Sequence, residues 1–149
     1  MQAGGQQFAE KAGIFFQSEG LPRIAGRIFG MLLLEEAPQS IDRIAAALRL
    51  SKASVSTNAR ILERWGFLER IGHPGDRRTY YTIASDLAHR TLQLRVERMG
   101  RFHSLMVDAR GLAAPGRAKL KDRLGQLVSA YAQTIGAMRK ISESWQARR

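Results

Sequence analysis

The residue order predicts a mainly α-helical protein with one small β-hairpin: a winged helix-turn-helix held between N- and C-terminal helical arms. Three observations carry that reading. A capped helix over residues 51–65 follows a shorter one over residues 40–48 with only Arg49 and Leu50 between them, and two helices joined so tightly make a helix-turn-helix. Two alternating segments, residues 67–71 and 79–83, flank the Gly- and Pro-punctuated stretch Gly72-His73-Pro74-Gly75-Asp76-Arg77-Arg78, which is the pattern of a hairpin. Beyond Ser85 the chain returns to helical periodicity, broken once at Ala113-Ala114-Pro115-Gly116.

A first helix is expected over residues 5–19, where Phe8, Ala12, Phe15 and Phe16 recur at helical spacing and Gly20 ends the run. Pro22 suits the first turn of a second helix reaching about Glu36, buried through Ile24, Ile28, Phe29 and Leu32. Gly26 and Gly30 lie on one side of it, and that spacing marks tight packing against a neighbour inside the domain. After Ala37-Pro38-Gln39, the stripe Ile41, Ile44, Ala45 and Leu48 defines the short third helix.

Ser51 is a capping residue type, and no Gly or Pro interrupts the fourth helix before Gly66. With about 3.6 residues per turn, Val55, Ala59 and Leu62 share the side that packs. Ala53, Thr57, Arg60 and Arg64 line the opposite side, with Ser56 beside them. Asn58 falls at the margin, whereas Ile61 and Trp65 form a flank read as packing. Ser85 and Asp86 cap a long fifth helix to about Arg110, carrying Leu87, Leu92, Leu94, Met99, Phe102, Leu105 and Met106, with Gly100 a point of bending. The last helix carries Leu120, Leu124, Leu127, Val128, Tyr131, Ile135, Met138, Ile141 and Trp145 on one stripe. Two long arms, each with one apolar face, exceed what a small winged domain covers, so the arms and the first helix are expected to pair across a two-fold axis as a homodimer.

The net charge of +11 points to a polyanionic partner, because surface Lys and Arg displace counterions from phosphate backbones. The excess is uneven: residues 1–50 balance to 0, residues 51–84 to +3 and residues 85–149 to +8. A basic face of a helix is usually only solvated, so charge supports this partner without identifying it. No stretch approaches the length of a membrane span, residues 1–7 lack the regions of a signal peptide, and there is no Cys, which together predict a cytoplasmic protein without membrane contact or disulfides. His73, His89 and His103 are dispersed, so no metal or other cofactor is expected. Without a phosphate cradle, nucleophile elbow or spaced carboxylate pair, an enzyme is not expected either.

The chemistry of the fourth helix is what a groove reader needs. Small residues let a helix approach a groove floor, hydroxyls bond bases or phosphates, and Arg reaches guanine edges or backbone oxygens. Ser51, Lys52, Ser54, Ser56, Thr57, Arg60 and Arg64 are therefore the candidate contacts to double-stranded DNA, with Lys52 toward phosphate and Ser51 either capping its helix or facing phosphate. Arg77 and Arg78 join them from the hairpin tip, since a guanidinium on a narrow hairpin enters a groove too small for a helix. The competing class is a winged-helix interaction module whose basic arms meet an acidic partner without specific DNA binding.

Residues 41–83, with Ser51-Lys52-Ala53-Ser54-Val55-Ser56, Leu62-Glu63, Gly66-Phe67-Leu68 and Asp76-Arg77-Arg78, resemble the MarR-type winged-helix transcriptional regulators. The segment Gly20-Leu21-Pro22-Arg23-Ile24-Ala25-Gly26-Arg27-Ile28 and the Asn58-x-Arg60 pair are similar to the GbsR branch. The resemblance implies a homodimeric DNA-binding regulator, a repressor or an activator, with recognition helices in successive major grooves. It implies an Arg at the wing that enters the minor groove and an Asp, here Asp76, that supports the wing. Thr57 departs from the family pattern, in which Arg is common, and Arg60 on the same face takes part of that role. A small-molecule effector is also implied, a quaternary ammonium compound by analogy with the branch, although no aromatic cage can be assembled from the sequence. The domains then read as residues 1–20, an N-terminal dimerisation helix; residues 21–84, the winged DNA-binding domain; and residues 85–149, a C-terminal helical dimerisation region.

Overall fold

The computed structural model describes residues 3–146. The chain order is α1 (Ala3–Ser18), α2 (Arg23–Leu32), β1 (Gln39–Ser40), α3 (Ile41–Leu48), α4 (Lys52–Arg64), β2 (Leu68–His73), β3 (Asp76–Ile83), α5 (Leu87–Gly111) and α6 (Ala118–Gln146). Two compact units result, Met1–Leu87 and Ala88–Arg149.

In the first unit, small residues let α1 and α2 meet backbone to backbone. A Cβ added at Gly26 would stand 2.5 Å from the Ala12 carbonyl oxygen, and one at Gly30 would stand 2.7 Å from the Ala12 Cβ. The buried line of α1 is accordingly Ala9, Gly13 and Phe16. Of the aromatic residues of α1, Phe8 and Phe15 remain 38% and 61% exposed in the single chain, and Phe16 is buried. Phe16 joins Phe29 and Phe67 in a triangle with centroid distances of 5.2, 5.4 and 5.3 Å, favourable spacings for aromatic pairs. Ile28, Met31, Ile44, Val55 and Leu62 complete the core that fixes the helix-turn-helix.

The caps fall where residue chemistry puts them. Ser40 Oγ accepts from the Arg43 amide at 3.2 Å and Ser51 Oγ from the Ser54 amide at 3.1 Å, each satisfying an otherwise unpaired first-turn donor. The second helix is shorter than expected and ends at Leu32 rather than near Glu36. Leu33 and Leu34 are exposed, so the apolar stripe has run out, and Glu35 and Glu36 oppose the negative end of a helix dipole.

The sheet has three strands in the order β1-β3-β2, all antiparallel. Sequence patterning supplied only the hairpin, because the two-residue β1 is too short to alternate; it pairs Gln39 with Tyr81 and Ser40 with Tyr80. The hairpin also runs further than expected. His73 pairs with Asp76 across Pro74 and Gly75, the latter at φ +80°, so Asp76, Arg77 and Arg78 lie on a strand rather than in a loop. Between Ile71 and His73 the register shifts, one β2 residue facing three on β3, so the irregularity lies in β3 between Asp76 and Tyr80.

In the second unit α5 runs unbroken through Gly100, and the Phe102 ring meets that of Tyr131 of α6 at a centroid distance of 4.9 Å, tilted by 42°. No residue of α5 is buried, and among the described residues of α6 only Ile135 is.

Candidate nucleic-acid interface

The open side of α4 is polar in fact as well as in pattern. Val55, Ala59 and Leu62 are fully buried, and that anchorage turns Ala53, Thr57, Arg60 and Arg64 outward, all exposed together with Ser51 and Lys52. Ser54 and Ser56 are partly buried beside them. Asn58 is buried and its amide donates to the Ser54 carbonyl at 2.9 Å, a bond that takes it off the open face. Trp65, read as packing, keeps 37% of its surface exposed because α4 has already ended there and Gly66, at φ +73°, turns the chain away.

Two tethers shape the rest. Lys52 Nζ lies 2.6 Å from Asp42 Oδ1, linking the first turn of α4 to the first turn of α3. At the start of β3, Asp76 accepts from the Arg78 amide at 2.9 Å, from Arg78 Nε at 3.0 Å and Nη2 at 2.7 Å, and from the Tyr80 hydroxyl at 2.8 Å. The Arg78 guanidinium, by these side-chain bonds, holds the Asp76 carboxyl well below the usual carboxylate range and is itself held above the usual arginine value. The bond that the Tyr80 hydroxyl donates to Asp76 raises the phenol in turn. Arg78 also lies 5.5 Å from the Tyr80 ring centroid, so its head is fixed over the strand. Arg77, the intervening residue, is exposed.

The structure brings Lys52, Ser56, Arg77 and Arg78 together around one open depression, with Ser40, Asp42 and Thr79 completing its wall. Arg60 and Arg64 are exposed farther along α4 and do not line it. Sequence reasoning missed Asp42 and Tyr80. The alternation along β3 that sets Asp76, Arg78 and Tyr80 on one face was available, but it was hidden by reading the first two as loop residues. The Asp42–Lys52 pairing has no signal in spacing, since it depends on how α3 crosses α4.

Residues 19–79 match the sequence profile of the MarR family. The chain is 33% identical over 138 residues to the HTH-type transcriptional regulator MmpR5 of Mycobacterium tuberculosis (strain ATCC 25618 / H37Rv), covering 87% of this chain and 84% of that one. A crystal structure of a transcriptional regulator superposes with a TM-score of 0.86 at 31% identity, covering 98% of this chain and 99% of that one. An outward polar helix, a clamped wing and these likenesses over nearly the whole length agree: the chain belongs to the MarR family of DNA-binding winged-helix transcriptional regulators.

Proposed function

We propose that this regulator is a homodimeric repressor that reads a near-palindromic site in double-stranded DNA. The observation that carries the reading is the exposed face of α4, where Thr57, Arg60 and Arg64 stand clear of the core beside a wing whose Arg78 is already immobilised. In this arrangement Ser56, Thr57 and Arg60 meet base edges in the major groove. Ser51, Lys52, Ser54 and Arg64 meet phosphates, and Arg77 enters the adjacent minor groove with Asp76 and Arg78 keeping its strand in register. Repression follows from occupancy, since a protein on a promoter excludes polymerase.

Dimerisation is supported by what one copy leaves uncovered. Phe15 and Leu105 are 61% and 57% exposed, and Leu112 is 85% exposed. Helices with apolar stripes and so little burial need a second copy of the same faces. Kinship with the GbsR branch rests on residues 20–28 and on the Asn58-x-Arg60 pair. An effector would act by favouring one separation of the two recognition helices over another. Among the described residues no helix is long and apolar enough to cross a membrane, and work on chromosomal DNA assigns the protein to the cytoplasm.

Selecting genomic fragments with the purified protein and footprinting the bound ones tests this reading. The expected outcome is two protected half-sites about one helical turn, ~34–36 Å, apart. Recovery of fragments with no common sequence, or protection of a single half-site, would count against it.

A further inference from the structure

Within the basic depression there is one acid, and its position is informative. Asp42 stands in the first turn of α3, about half exposed, and its carboxylate engages Lys52, the residue best placed to meet phosphate, at 2.6 Å. Both line the same concavity as Arg77, Arg78 and Ser56. The Asp76 carboxylate nearby is consumed by Arg78 and Tyr80, so it does not compete for Lys52.

We propose that Asp42 is an internal competitor for the DNA phosphate that Lys52 would otherwise take, and so sets both the affinity and the salt dependence of binding at this depression. The inference rests on the DNA-binding reading above and adds a tuning residue to it. A free ammonium meeting a phosphate releases a condensed counterion, which appears as a steeper fall of log K with log salt, about 0.9 per phosphate neutralised. An ammonium already neutralised by Asp42 exchanges one carboxylate for one phosphate and contributes less to that slope. Because both partners are solvent-exposed, the exchange is a small energetic step, which makes it suited to tuning rather than to switching.

Asp42→Asn removes the charge while keeping a residue type compatible with the first turn of a helix. Fluorescence anisotropy of labelled duplexes, one selected and one of random sequence, over a potassium chloride series separates the outcomes for wild type, D42N, K52A and the double variant. D42N is expected to bind both duplexes about two- to fivefold more tightly, with a slope steeper by up to about one. Most of that gain is expected to vanish when Lys52 is also replaced. Unchanged affinity and slope in D42N would overturn the inference, as would a gain that persists in full in the double variant, since Asp42 would then act as a plain repulsive charge. A wild-type protein that binds neither duplex at any salt would overturn the DNA reading itself and the inference with it. Melting curves of all four proteins confirm that the folded state is what is compared.

Discussion

Three helices of the first unit end with a left-handed residue within two positions of the last helical one and two backbone bonds reaching back into the last turn. At Gly20 and Gly66 the residue is the one that bears this conformation freely, but after α3 it is Arg49, at φ +54°. The Leu50 amide bonds the Ala45 carbonyl at 2.9 Å, so the turn between α3 and α4 imposes the conformation on a side chain that resists it. A non-glycine residue there costs about 1–2 kcal/mol, offset in part by the greater freedom that glycine adds to the unfolded chain. Arg49→Gly is therefore expected to raise the unfolding free energy by about 0.5–1 kcal/mol in urea. A destabilised variant would show that the guanidinium contributes more than the turn costs. A second residue, Asp76, makes a statement about pH. Its proton is bound less readily in the folded than in the unfolded chain, so the stability contributed by the clamp is complete above the ordinary carboxylate value. It is lost only as pH falls through the lowered one. Carboxyl NMR is expected to show Asp76 still ionised at pH 3.8, where an unperturbed aspartate is half protonated; half-protonation there would remove the clamp from the account of the wing. Arg49 was not legible in advance, because a propensity scan sees only an ordinary helix former; for Asp76 the resemblance implied a support for the wing, but its partner Tyr80 was not foreseen.

At the scale of elements, the helices were legible because their ends carry their own chemistry. Ser40 and Ser51 cap as capping types do, and Gly66 stops α4 where a glycine was expected to. What patterning lacked was pairing information. β1 exists only because Gln39 and Ser40 lie against Tyr81 and Tyr80, and the end of α2 is set by the loss of a surface to pack on, as the exposure of Leu33 and Leu34 shows. The side of α1 that meets α2 could not be ranked by hydrophobicity: Phe15 is more apolar than Gly13, yet the meeting selects for small volume. That contact gives a sharp expectation. In Gly26→Ala the new methyl would meet a backbone carbonyl rather than a yielding side chain, so the helices must separate, at a cost of about 1–3 kcal/mol. Urea unfolding followed by far-ultraviolet circular dichroism measures it, and an unchanged midpoint would mean that α1 and α2 do not meet as closely as described.

At the scale of the whole molecule, charge and apolar surface are distributed differently from the reading elements. The winged unit carries a modest positive balance, while the excess sits beyond residue 84, in the part of the sequence that also exposes Phe102, Leu105, Leu112 and Ile141. The candidate site was legible to the extent that it lies on one helix, since one set of periodic residues determines both the buried and the open side of α4. It was illegible where it joins three elements, as at the depression built from α3, α4 and β3. The central claim is that the open side of α4 reads bases while its N-terminal end holds phosphate, and competition binding of Arg60→Ala and Lys52→Ala to the selected site, its single-base variants and random duplex tests it most directly. Arg60→Ala is expected to lose about 1–3 kcal/mol on the selected site and to bind its variants almost equally, with random-duplex affinity nearly unchanged. Lys52→Ala is expected to weaken binding to every duplex alike. Equal loss on specific and random DNA in both variants would contradict the claim.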